Sequence, residues 1–524
     1  MNIIDTKEKI GVESIESKVC VIGSGPAGGI LAAQLAKKKI DVLLLEAGAD
    51  LPDYGCESIA NTNLFSDVAD LRFGWSRQFG GSSNLWAGRA YPLEGIDFEK
   101  RSWVPDSGWP FAVDTLTPYY KKAAELLDIP GYHYFDTHSG PHRKENIFSP
   151  VLDTGIGLED KCFQWAAKPF IVSDYLNDIA KHHPSLRILL NAPVSRLQEK
   201  TDGSAVETAW VTKPDGSALT VKADYFVLAA GGIETPRILL NSCQVKPTGI
   251  GNEHDVVGRY FSTHPKADMA AIILNKSVPT SHALFMDRPL ESGSFRYGIG
   301  FSKEAQERLK LLNHYVQLSP LLEYQANRAF ETMKRTKVLN NALIDRSSLM
   351  QGFLPGLGKM AYEAMGRIAK FQPRTKKFIL RGFLDQYPDK ENRIKLSSDK
   401  KNDGTSKVDI QWQYSNKDKE SVLAFFSHLD KALQEHNIGK VEYSGLESCE
   451  DWPLIGIHSH FMGTTRMGTD KKTSVTDKNA CVHGIKNLYI AGPSLFPTYG
   501  FANPFLTITA LSIKLGDHLL KQVK

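Results

Sequence analysis

Long apolar runs are missing from this chain. Nowhere in its 524 residues do about 18 apolar residues follow one another, so no membrane-spanning helix is expected. Excess charge of one sign is missing as well. Lys and Arg number 63 against 59 Asp and Glu, and the resulting +4 lacks the strongly basic footprint of a nucleic-acid binder. Cysteine is scarce and unpatterned: Cys20, Cys56, Cys162, Cys243, Cys449 and Cys481 form no CxxC pair and no metal-finger spacing. Neither a disulfide framework nor a metal site is therefore expected. Residues 1–17 alternate acids and lysines without the apolar centre of a secretory leader, which leads to a cytoplasmic expectation. What is present is globular: 42% hydrophobic and 23% charged residues, in a length that suits about two to four domains of roughly 150 residues each.

The clearest pattern lies near the start. Residues 18–22 are a short run rich in β-branched residues, and they lead directly into Gly23-Ser24-Gly25-Pro26-Ala27-Gly28. Apolar residues at helical spacing follow (Ile30, Leu31, Ala33, Leu35, Ala36), and a second buried-strand run, 42–45, ends at Glu46. This predicts a β-α-β unit of about 30 residues. Gly23 allows the tight turn, Gly25 lets backbone approach a pyrophosphate, and Gly28 permits close packing of helix on strand. The helix N-terminus favours phosphate, and Glu46 stands where a carboxylate accepts hydrogen bonds from an adenosine ribose. The fingerprint fits FAD and NAD alike.

The C-terminal end narrows that choice. Residues 487–492 read as a strand ending at Gly492, and an apolar helix starts at Pro504, opened by Asn503-Pro504. The positive end of such a helix suits a ring that gains negative charge on reduction, as an isoalloxazine does and a nicotinamide does not.

With these residues in view, the sequence resembles the glucose–methanol–choline (GMC) oxidoreductases, FAD-dependent oxidases and dehydrogenases of alcohols. Four anchors carry the resemblance. They are the β-α-β unit with Glu46; the loop Gly80-Gly81-Ser82-Ser83-Asn84-Leu85-Trp86-Ala87-Gly88; the run from Ala229-Ala230-Gly231-Gly232 to Leu240; and the block from His460 to Gly468, continued through 487–497 to Gly500-Phe501-Ala502-Asn503-Pro504. The likeness within the family is to the branch of pyranose oxidases, glycoside 3-oxidases and sugar alcohol dehydrogenases. It implies a Rossmann-like FAD-binding domain assembled from separated segments, expected at 1–110, 185–265 and 440–524. A substrate domain with a mainly antiparallel sheet is expected at 111–184 and 266–439. The overall class is α/β with an α+β second domain.

The resemblance also assigns roles. Gly80, Gly81, Ser82, Asn84, Leu85, Trp86, Ala87, Val194, Ala230, Gly231, Gly492, Asn503 and Pro504 join Gly23, Gly25, Pro26, Ala27, Gly28 and Glu46 as expected FAD contacts. His460 is the expected base that takes the hydroxyl proton while flavin N5 takes the hydride. Asn503 is expected to orient the hydroxyl, although Asn before Pro is also an ordinary helix cap. His458 is a weaker candidate base, and His264 and Arg466 are expected to be structural. Leu85 occupies the position of the histidine that tethers flavin in pyranose oxidases, so the FAD is expected to be non-covalent.

A small-molecule alcohol, and a sugar, glycoside or aminocyclitol above all, is the expected substrate, with oxygen or another acceptor left open. An apolar alcohol, or a flavoprotein of the same fold without net redox turnover, is the alternative. Trp75, Trp86, Trp103, Trp109 and Tyr499 are possible sugar-stacking residues or core residues. Residues 394–396 and 408–414 read as a hairpin. The basic, Met- and Leu-rich stretch 328–377 reads as an amphipathic insertion with a dimer contact or solvated face, rather than a lid, an acceptor dock or a membrane contact.

Overall fold

The computed structural model describes residues 2–8, 13–52, 58–62, 74–136, 157–280, 287–320, 374–443, 454–455 and 459–523. Cys56, Cys449, His458 and the stretch 328–373 lie outside them.

The predicted β-α-β unit forms. Strand Ser14–Ile22, helix Pro26–Lys37 and strand Val42–Leu45 follow in order, with Val19 paired to Val42 and Ile22 to Leu45 in parallel register. Its helix begins on Gly25 with Pro26 in the first turn, where a missing N–H costs nothing. A Cβ on Gly28 would stand 2.0 Å from the Gly23 carbonyl oxygen and 3.1 Å from Val21 Cγ1, so helix and strand pack this closely only around glycine.

Around this unit grows an eight-stranded sheet. Its order runs Ile3–Asp5, Leu186–Leu190, Val42–Leu45, Ser14–Ile22, Ala218–Leu228, Val206–Thr212 and Val194–Glu199. Leu488–Ile490 pairs in parallel with the C-terminal part of Ala218–Leu228, and the N-terminal part of that strand pairs antiparallel with Val206–Thr212. The long strand thus serves the parallel sheet at one end and an antiparallel meander at the other. Three sequence-distant segments build one sheet, in a Rossmann-like arrangement.

A second sheet of nine strands is antiparallel throughout. Gly439–Glu442, Lys266–Pro279, Arg374–Phe383, Tyr315–Pro320, Ser294–Phe301, Leu158–Trp165 and Arg89–Ala90 lie side by side, with Arg288–Pro289 and Leu454–Ile455 added to Ser294–Phe301 and Lys266–Pro279. Helix Asn416–Glu435 lies beside it, opened by a reciprocal cap in which Ser415 Oγ accepts from Asp418 N and Asp418 Oδ2 accepts from Ser415 N. The predicted hairpin is present as Arg393–Lys400 and Ser406–Gln411, with Ile394 opposite Ile410. Strand Ile59–Thr62 joins it in parallel.

The stretch 111–184 is shared between these bodies. Leu158–Trp165 is a strand of the nine-stranded sheet, whereas helix Val113–Leu126 packs on the C-terminal helix Pro504–Gln522 and helix Val172–His182 on Pro26–Lys37. Of two buried apolar clusters, one contains Val21, Leu44 and Leu506 and extends to Phe163, Tyr315 and Phe383 of the nine-stranded sheet, and the other contains Phe295, Leu318 and Phe425.

Candidate active site

A cavity of about 680 Å³ is lined from both large sheets. On one side the parallel strands end at it: Ile22 and Gly23, Leu45 and Glu46, Ala229 and Ala230, and Gly492. The N-termini of three helices also reach it, through Pro26, Gly231 and Pro504. Their positive ends favour an anion such as a pyrophosphate. Gly25, Ala27, Gly81, Ser82, Leu85, Trp86, Ala87, Val194 and Asn503 complete the set of expected cofactor contacts that line it.

Three expected contacts stand behind the wall instead. Gly28 packs helix on strand, Gly80 N donates to Ser24 Oγ at 2.9 Å, and Asn84 Nδ2 donates to the carbonyls of Phe79 and Gly81 at 3.0 and 2.9 Å. Asn84 thus shapes the glycine-serine loop. A Cβ on Gly81 would lie 2.8 Å from Gly25 Cα, so the two glycine loops touch backbone to backbone.

Glu46 lines the cavity and also knits the turn. Its Oε2 accepts from Ser24 N and Ser24 Oγ at 3.0 and 2.5 Å, and its Oε1 accepts from Gly48 N at 2.7 Å. Burial raises its pKa, and these hydrogen bonds oppose the rise. A buried carboxylate, two bare glycine loops and helix N-termini on one cavity fit a dinucleotide such as FAD.

His460 lines the same cavity. Its φ of +67° lies in the left-handed region, uncommon for a non-glycine residue. Its Nδ1 is 3.0 Å from Nδ1 of His264, with the rings nearly perpendicular. Only one of those nitrogens can carry the shared proton while both rings are neutral, so the contact couples their tautomers. Burial holds the His460 pKa well below the usual value, and the charges of His264, Lys266 and Arg89 add to this. His264, fully enclosed, is pulled down to about 3 by burial against the opposing backbone of Gly500 and Tyr499.

Asn503 makes no side-chain cap bond to the helix it precedes, so the capping alternative is not taken up and its amide is available to the cavity it lines. Arg466 is buried away from the cavity: Nη2 donates to the Asp106 carbonyl and the guanidinium lies 4.2 Å from the Tyr260 ring. Of the aromatic candidates, Trp75 and Trp86 reach the cavity. Trp103, Trp109 and Tyr499 instead donate to backbone carbonyls of Leu311, Thr498 and Gln386.

Sequence reasoning missed the opposite wall, formed by Arg89, Trp165, Lys266, Gln317, Arg381 and Phe383. The signal was alternation: Gln317 follows Tyr315 by two and Phe383 follows Arg381 by two, and each pair shares a face. Only the strand registers reveal that the faces coincide. Among the described residues, no group of three His, Cys, Asp or Glu is placed to hold a metal.

Comparison with known proteins agrees with this geometry. Family models described as GMC oxidoreductase match residues 165–266 and 388–512, and one described as an NAD(P)-binding Rossmann-like domain matches 21–86. The chain is 24% identical to 6'''-hydroxyparomomycin C oxidase of Streptomyces lividus, over 96% of this chain and 91% of the relative. It is 23% identical to the fructose dehydrogenase large subunit of Gluconobacter japonicus, over 98% and 99%. The crystal structure of pyridoxine 4-oxidase from Mesorbium loti superposes with a TM-score of 0.53 at 17% identity, covering 96% of this chain and 99% of that one. With its N- and C-terminal family models matched in order and its cavity built from the same segments, the chain belongs to the GMC oxidoreductases, FAD-dependent enzymes acting on CH–OH groups.

Proposed function

We propose that this protein oxidises a hydroxyl of a sugar, glycoside or aminosugar-like compound to a carbonyl, with His460 as the base and Asn503 holding the reacting oxygen. The observation that carries the reading is that both side chains line the cavity that the glycine loops also line. Relatives named for oxidation of paromamine, hydroxyparomomycin C, fructose and pyranose support the substrate class.

FAD, when bound, supplies the acceptor for the hydride that leaves carbon. The chain's own part is the proton. His460 can accept it at Nε2 when its Nδ1 carries hydrogen and donates to His264 Nδ1, and the 3.0 Å contact is compatible with that tautomer, which the proposed role requires. His264 then carries its own proton on Nε2. Asn503 offers an N–H to the oxygen as negative charge develops on it. Trp86, Trp165 and Phe383 supply apolar surface to the cavity. Leu85 offers no nucleophile for a flavin tether. In this reading the flavin half is drawn from within 1–110, 185–265 and 440–524, joined by helices Val113–Leu126 and Val172–His182, while Arg89–Ala90, Gly439–Glu442 and Leu454–Ile455 belong to the second sheet. Free thiols at Cys20, Cys162, Cys243 and Cys481 support a reducing, cytoplasmic setting.

The test is anaerobic mixing with sugars, glycosides, aminosugars and simple alcohols while absorbance near 450 nm is followed. Bleaching by a sugar is expected, and the speed of recovery in air separates oxidase from dehydrogenase. A flavin that no alcohol bleaches overturns the reading.

A further inference from the structure

The wall that shares the cavity with His460 is cationic. Tyr315 pairs with Phe383 and Gln317 with Arg381, so alternate residues of the nine-stranded sheet turn Gln317, Arg381 and Phe383 towards the cavity, beside Trp165 and Lys266. Arg89 joins them through its edge pairing with Trp165. Its guanidinium lies 4.0 Å from the centre of the Phe163 ring and 4.3 Å from that of Phe383. Ring faces attract the charge, but the in-plane N–H groups need lone-pair acceptors. Arg89 Nε and Nη2 are buried and have no hydrogen-bond partner among the described residues. Its charge thus rests against ring faces rather than against a carboxylate of the described residues.

Arg381 is already bonded to Asp268 at 2.8 Å. Among the described residues, the carboxylates lining the cavity are Glu46, tied to the glycine turn, and Glu234, 2.8 Å from Arg237. Arg89 and Lys266 line the same cavity as His460, and their charges disfavour its imidazolium.

We infer that the substrate is an alcohol bearing an anionic group, such as an acidic sugar or hydroxy acid, whose anion is drawn to the Arg89 and Lys266 charges on the cavity wall. The inference rests on the proposed oxidation at His460 and adds the charge of the molecule oxidised. Anion binding would also offset the charge of Arg89 and so raise the basicity of His460 once substrate is in place.

Two measurements on the oxidised holoenzyme separate the possibilities. Calorimetry compares tetrahydropyran-2-carboxylate with its carboxamide, two rings of one shape that carry no hydroxyl to oxidise. The carboxylate is expected to bind about tenfold more tightly, Arg89→Gln to bring the two within about twofold, and Arg89→Lys to keep part of the gap. Equal binding of both probes to the unaltered protein overturns the inference, as does a carboxylate preference that survives Arg89→Gln. If Arg89→Gln does not fold, the unaltered protein's preference decides.

Anaerobic bleaching then compares D-glucuronate, D-glucose 6-phosphate, D-glucose and D-glucosamine. Faster bleaching by either acid supports the inference, and which acid leads separates carboxylate from phosphate. A lead for glucose or glucosamine overturns it. Bleaching by neutral sugars without a carboxylate preference leaves the oxidoreductase reading standing and removes the anion. A carboxylate preference with no bleaching by any alcohol does the reverse.

Discussion

His460 combines two costly features. A left-handed backbone at a non-glycine residue costs about 1–3 kcal/mol, and a buried imidazole gives up its charged form. Both occur at a residue whose Nδ1 meets His264 and which lines the cavity. His460→Ala should therefore keep its flavin and lose about 10²–10⁴-fold in the rate of flavin reduction by substrate, measured by stopped flow. A variant with near-normal reduction would remove the assignment. The pH profile follows from the same ring. Because the His460 pKa is held down, the base stays unprotonated to lower pH than an ordinary histidine, and the acid limb of kcat/KM should fall below about 6.5. In the proposed mechanism His264 acts through His460. His264→Leu removes the Nδ1 acceptor and should slow flavin reduction by about 10–100-fold at unchanged flavin content, while His264→Asn, whose amide oxygen can accept, restores part of it. A purely structural His264 would show no such rescue.

At the scale of elements, the two glycine loops are one device. Gly81 and Gly25 meet backbone to backbone, so a side chain on Gly81 must push the loops apart. Gly81→Ala is expected to lower the flavin-to-protein ratio severalfold and to destabilise the fold by about 1–3 kcal/mol. Gly216→Ala is the control. That glycine also has positive φ, but a Cβ there meets nothing within 4 Å, so its flavin content should stay full. Absorbance ratios of the purified variants read the difference.

The β-α-β unit was legible in the sequence because strand, turn, helix and terminal acid are contiguous and each has its own periodicity. The segments that complete its sheet were legible through the resemblance, which placed His460 and Asn503 at the cavity before any coordinates. The cationic wall was not. Arg89, Lys266, Gln317 and Arg381 come from four strands far apart in sequence, and each alone is an ordinary polar residue on an ordinary strand. Their meeting is a property of antiparallel register, which a single sequence does not state. Likewise Glu46 was legible as a cavity carboxylate, but its bonds to Ser24 and Gly48 depend on the folded turn.

For the whole molecule, the cavity is the place where two separately packed cores look at each other. One spans the parallel sheet and one face of the antiparallel sheet and the other lies within the antiparallel sheet and its helix, and residues attached to each line the same space. A flavin seated there adds contacts to both, so it should act as a stability ligand as well as a reagent. Leu85 gives no covalent tether, so that stabilisation is expected to be reversible and to follow mass action. Acid precipitation should leave a colourless pellet and a yellow supernatant. Refolded flavin-free protein should gain about 4 kcal/mol when FAD is raised to about 1,000 times its dissociation constant. At an unfolding entropy of about 2.1 cal/mol/K per residue, this corresponds to a rise in Tm of about 4 °C for a chain of this length. Differential scanning fluorimetry across an FAD titration measures it. Yellow colour retained on the pellet, with a Tm indifferent to added FAD, would mean a covalent bond formed elsewhere than at Leu85.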